Sequence, residues 1–84
     1  MCYMVSPDKI NHADAVVFCM ASDSSLARMM GRNILFLQGL STPEGMWIAS
    51  PPNYECYSMT PTHAVAADCL TELQSICWKQ TSQP

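Results

Sequence analysis

Apolar residues in this chain come in short runs set apart by turn-forming polar residues. Cys2–Val5 is short and apolar enough for an edge strand, and Ser6-Pro7-Asp8 turns the chain, because proline fixes φ and aspartate favours turn geometry. The polar stretch from Asp8 to Asp14 has room for one helical turn. Ala15-Val16-Val17-Phe18-Cys19-Met20 is a continuous apolar run with adjacent β-branched residues and no period-2 alternation, which predicts a strand covered on both faces, as in a parallel sheet between helices. Ser22 to Met30 reads as a short helix with Ser22 or Asp23 as N-cap, Leu26, Met29 and Met30 as its apolar stripe, Arg28 and Arg32 near the end where the dipole favours cations, and Gly31 just past that end. Ile34–Leu37 predicts a second strand, Gln38–Gly45 a loop, and Met46–Ala49 a third strand. Ser50-Pro51-Pro52-Asn53 ends it, since two prolines remove two ladder donors.

The last third predicts an amphipathic helix from Pro61 to about Trp78. Thr60 is a good N-cap and Pro61 sits where its missing N–H costs nothing. Val65, Ala66, Cys69, Leu70, Leu73, Ile76 and Cys77 recur at steps of three and four, opposite Asp68, Glu72 and Lys79. Strands alternating with helices predict an α/β fold: a partial Rossmann-like sheet of three to four short, mostly parallel strands with two helices. It would form a single incomplete domain over residues 1–79, followed by a polar tail over 80–84.

Composition narrows the function classes. The 84 residues are 49% hydrophobic and only 13% charged, the balance of an interior more than of a disordered tail. Four Lys+Arg against seven Asp+Glu give a net charge of −3 and cannot build a phosphate-binding face, so no nucleic-acid partner is expected. The longest strictly apolar stretch, Ala15–Ala21, is far short of the ~20 residues that span a bilayer, and the N-terminus has no basic or long apolar signal-peptide region. No transmembrane segment and no secretory signal are therefore expected in this chain. Five cysteines, Cys2, Cys19, Cys56, Cys69 and Cys77, leave at least one thiol free or paired with another chain. Buried or incidentally exposed thiols are the favoured reading. Their spacings, with His12 and His63, match no zinc pattern, and the scattered methionines fill core gaps better than they bind copper, so no metal is expected.

Candidate chemistry is sparse. There is no G-x-G-x-x-G, no P-loop and no G-x-S-x-G. Asp8 and Asp14 could be drawn as an acid–base pair, and Cys19 with His12 or His63 as nucleophile and base. Solvated carboxylates and a core thiol are the better readings. Trp47 and Trp78 read as core or interface anchors. One segment stands out: a strand end at Trp47 directly before the rigid turn of Ser50, Pro51, Asn53 and Tyr54, where ligands bind on open α/β sheets. A strand-terminating loop is the competing reading.

His12-Ala13-Asp14-Ala15-Val16-Val17-Phe18 resembles the "ADAVVF" strand in the N-terminal, acceptor-side domain of α1,3-fucosyltransferases. Pro43-Glu44-Gly45-Met46-Trp47-Ile48 followed by Ala49-Ser50-Pro51-Pro52-Asn53-Tyr54 is similar, in order, to that family's Trp-centred strand, Glu-Ser-Pro and Pro-Asn-Tyr. The resemblance implies a Golgi glycosyltransferase acting in protein glycosylation. It would transfer fucose from GDP-fucose to N-acetylglucosamine-containing glycans, with Trp47, Ser50, Pro51, Asn53 and Tyr54 as an acceptor-side loop. Ala49 stands where the family has a glutamate that could serve as general base, and no donor domain is present. The expectation is thus a fragment of a fucosyltransferase-like enzyme, inactive alone, holding no cofactor itself and facing a glycan acceptor. The rival is a small non-enzymatic interaction module that uses an exposed apolar face, with self-association through that face or a free cysteine. A third reading, an unselected reading frame, sits poorly with the orderly punctuation of the chain.

Overall fold

The computed structural model describes residues 2–79; the tail expected over 80–84 lies outside them. The apolar run after Asn11 is not a strand but a helix, α1 (His12–Ala21). Asn11 caps it, its side chain accepting from the Asp14 N–H at 2.9 Å, and Asp14 adds a negative charge to the first turn. Ala15 and Cys19, one turn apart, are fully buried, whereas Val17 and Met20 are 63% and 67% exposed. A helix laid on one surface explains a run that shows no alternation. α1 ends at Ser22, and Asp23 takes a left-handed φ of 57°. The Ser24 hydroxyl then donates to the Cys19 carbonyl at 2.7 Å, satisfying a terminal acceptor.

The helix expected over 22–30 is instead this turn, a two-residue strand and a loop. Asn33 ties the loop down: its Oδ1 accepts from the Met30 N–H at 2.8 Å and its Nδ2 donates to the Arg28 carbonyl at 2.9 Å. The strand expected at Ile34–Leu37 is a second helix, α2 (Ile34–Leu40), which buries Leu37.

Six strands form one sheet: β1 (Cys2–Val5), β2 (Ser25–Leu26), β3 (Met46–Ile48), β4 (Tyr57–Met59), β5 (Ala64–Ala66) and β6 (Gln74–Lys79). The order is β1-β6-β3-β4-β5, with β2 also pairing β6. β6 is the organising strand. Along one edge it pairs antiparallel with β1, Cys2 opposite Lys79 and Val5 opposite Ile76. Its other edge is shared, parallel to β3 at Gln74 and Ser75 and antiparallel to β2 at Cys77 and Trp78. The β3–β4, β4–β5 and β1–β6 pairs are all antiparallel, so the expected partial Rossmann-like, mostly parallel sheet is not formed.

The physical reason lies in the C-terminal third. The region expected as a helix from Pro61 to Trp78 holds β5 and β6. Thr60 and His63 close a tight hairpin, with the Thr60 N–H donating to the His63 carbonyl at 2.8 Å. Beyond it, Leu73 and Cys77 pack on one side of the sheet while Ile76 and Trp78 pack on the other. Two-sided burial produced the steps of three and four that mimic a helix stripe. Gly45, before β3, is required as glycine: its φ is 100°, and a Cβ would lie 3.2 Å from the Ser58 hydroxyl oxygen.

Two disulfides replace the free thiols expected from the sequence. Cys19–Cys77 fastens α1 to β6, and Cys56–Cys69 fastens the loop before β4 to the loop before β6. Cys2 is free and exposed.

Candidate functional site

Trp47, first of the expected loop residues, is fully buried; its indole N–H donates to the Ile10 carbonyl at 2.8 Å. It anchors the core and offers no face to a ligand. Ser50 donates its hydroxyl to the Glu55 carbonyl at 2.9 Å, and the Tyr54 N–H donates to the Pro51 carbonyl at 3.1 Å. These bonds hold residues 50–55 in a compact turn between β3 and β4. Asn53 is exposed, and Tyr54 leans outward with its ring 5.0 Å from that of Tyr57. Of the five, Ser50 and Pro51 face an open hollow.

Two hollows adjoin there. One, about 500 Å³, is lined by Arg28, Met29, Ala49, Ser50, Pro51 and Pro52. The second, about 390 Å³, continues from Arg28, Ala49 and Ser50 to Val16 and Met20 on α1 and to Glu55. Their shared residues make one groove between α1 and the β3–β4 turn. Ala49 sits at its midpoint because its N–H donates to the Ala27 carbonyl at 2.8 Å, tying β3 to the residue after β2. Among the described residues neither Arg28 nor Glu55 has an ion-pair partner; the one ion pair, Lys9–Glu44, is exposed and elsewhere. His12 also lines the groove. Its ring meets Trp47 edge-on at 5.1 Å, and burial pushes its pKa below the usual imidazole value. Its Nε2 is shielded from solvent and has no hydrogen-bond partner among the described residues. A smaller hollow, about 270 Å³, lies between β1 and the turn after α1, with Lys79 as its one charged residue.

The other sequence candidates do not converge. Cys19 is bonded to Cys77 and cannot act as a nucleophile for His12 or His63. His63 lies in the exposed β4–β5 hairpin turn, its Nδ1 2.8 Å from the Thr62 hydroxyl oxygen. Among the described residues no three His, Cys, Asp or Glu side chains come together. Arg28 and Glu55 were not expected as site residues. Arg28 reads as a helix-terminal cation in the sequence, and only the pairing of β2 with β6 brings it beside Ser50.

This arrangement, a small mixed sheet with α1 bonded to its central strand, has counterparts among solved structures. The chain superposes on natural killer cell receptor Ly49C with a TM-score of 0.80 at 17% identity, covering 99% of this chain and 89% of that one. The fold is C-type lectin-like. The trimeric structure of Kupffer cell C-type lectin receptor Clec4f matches with a TM-score of 0.79 at 17% identity, over 98% of this chain and 80% of the other. No family model matches the sequence, and no curated protein does.

The C-type lectin-like fold overturns the likeness to fucosyltransferases and the glycosyltransferase reading built on it. The segment compared with an "ADAVVF" strand is α1, and the Trp47–Tyr54 segment turns into an antiparallel hairpin partner. The reading of Ala49 at a glutamate position, GDP-fucose and the Golgi were implied by that resemblance and by nothing else in the chain. Among the described residues no helix is long and apolar enough to cross a membrane.

Proposed function

We propose that this domain is a non-enzymatic recognition module that binds a macromolecular ligand through the groove between α1 and the β3–β4 turn. The observation that carries this reading is the fold: two proteins described as receptors, one of them a C-type lectin receptor, match it over 98% or more of this chain. The groove adds a surface of suitable kind, apolar over most of its length with few charged groups. Two disulfides support folding in an oxidising compartment. The test is a tetramerised, disulfide-intact domain offered to intact cells and to immobilised glycans. Saturable binding that disappears on prior reduction supports the module; turnover of a nucleotide sugar, with no saturable binding, overturns it.

A second reading concerns self-association. β1 is an outer strand of the sheet, and Cys2 is exposed upon it. An open strand edge is a template for another strand, so pairing of two copies along β1, locked by a Cys2–Cys2 bond, is supported. Non-reducing electrophoresis of the native chain and of Cys2→Ser tests it: a covalent dimer in the first alone is expected, and monomer in both counts against it.

A further inference from the structure

We infer that the groove takes an extended peptide segment of a partner protein, with a carboxylate held by Arg28 and apolar side chains on either side of it. This rests on the recognition-module reading above and names its ligand. Three observations lead here. First, the two hollows share Arg28, Ala49 and Ser50, so the space is elongated and Arg28 borders both parts of it. Second, Arg28 is exposed and has no ion-pair partner among the described residues. A guanidinium presents a planar fork of donors matched to a carboxylate, and beside apolar walls that match gains in strength. Third, the walls are mostly apolar, with Trp78 among the aliphatic residues. Val16 and Met20 stand at one end and Met29, Pro51 and Pro52 at the other. Methionine adapts its shape to varied apolar partners, which suits a side-chain slot.

The same chemistry argues against a sugar. A sugar needs many free polar groups, and beyond Arg28, Glu55, His12 and Trp78 the groove's polar side chains are two hydroxyls, Ser25 and Ser50. The Ser50 hydroxyl already donates to the Glu55 carbonyl. Glu55 lines the groove near α1 and disfavours a second acidic residue there. The expected segment therefore carries its acid opposite Arg28, with a neutral or basic residue toward Glu55.

The experiment is selection of a random octapeptide display library on the intact, disulfide-bonded chain, followed by calorimetry with the selected peptides. Enrichment of Asp or Glu flanked by Leu, Ile, Val or Met is expected. Arg28→Gln, and the matching Asp→Asn change in the peptide, should each weaken binding about tenfold or more, and the two losses should not add. Met20→Glu should weaken it as well, while Leu35→Glu, on α2 at the other side of the sheet, should not. Circular dichroism on each variant confirms that it is folded. Selected peptides without an acid, or binding indifferent to Arg28→Gln, overturn the inference. So does Arg28-dependent binding to carboxylate-bearing glycans with no peptide enrichment, an outcome that leaves the module reading standing.

Discussion

The two faces of the sheet are covered by different means. On the α1 face the buried side chains are small: Ala15, Cys19, Cys56 and Cys77, with Leu26, Leu73 and a single large Trp47. Both disulfides lie in that cluster or at its edge. On the α2 face the buried side chains are mostly long and aliphatic, Leu37, Met46, Ile48, Met59 and Ile76 beside Ala27, and no disulfide joins them. Small residues bury little area, roughly 25 cal/mol for each Å², so the α1 face leans on cross-links. The α2 face packs by shape alone. The groove lies on the cross-linked side, where α1 is held in place while Val17 and Met20 stay exposed.

Breaking the Cys19–Cys77 bridge should have the largest effect. Its ends are 58 residues apart, and chain entropy assigns such a loop about 4 kcal/mol. A chain of 84 residues has roughly 4–13 kcal/mol in all, so Cys19→Ala with Cys77→Ala should leave the domain marginal or unfolded at 37 °C by circular dichroism. A midpoint unchanged within a few degrees would show that the α1 face holds without its bond. Removing Cys56–Cys69, 13 residues apart, should cost about 3 kcal/mol by the same relation.

Leu37→Ala probes the other face. α2 is short and its exposed neighbour Leu35 leaves room for collapse, so about 2–3 kcal/mol is expected by denaturant titration, the low end for a buried leucine. A loss greater than that of the Cys19–Cys77 bond would reverse the comparison. Trp47→Phe keeps most of the ring and deletes the N–H to the Ile10 carbonyl, for about 1 kcal/mol.

The smallest effect is a pH dependence on the α1 face. Burial lowers the His12 pKa below 6.5, so the folded state holds this proton less tightly than the unfolded chain does. The stability due to His12 is complete above pH 6.5 and is lost as pH falls from there through the folded-state value. Thermal midpoints at pH 7.5 and pH 5 should differ less in His12→Gln than in the native chain. An equal drop in both assigns the effect to other groups.

Some of this was legible in the sequence. β1 and β3 lie where short apolar runs bounded by Pro, Gly and Asp predict strands, and the turn after β3 lies at its two prolines. α1 was not legible as a helix, because an apolar run of that length carries no periodicity that separates a buried strand from a helix on a surface. The signal available was Asn11, with Asp14 three residues on. β6 was hidden by a coincidence: residues alternating between two buried faces also fall three and four apart. The disulfides were unreadable for a different reason. Pairing depends on which cysteines the fold brings within reach, and five cysteines without a fold leave many choices. In the groove, Ser50, Pro51 and Glu55 come from one local turn, whereas Arg28 reaches it only through the pairing of distant strands.

The register of β1 on β6 sets Cys2 directly across from Lys79. The two ends of the described chain therefore meet at one edge, like the tabs of a clasp. A joiner of a few residues could close the chain into a ring, and the ring could be reopened at the exposed turn of Pro52 and Asn53 without cutting a strand. For the engineer this makes the domain a cassette: it can be spliced into a host protein's loop at a single point of attachment.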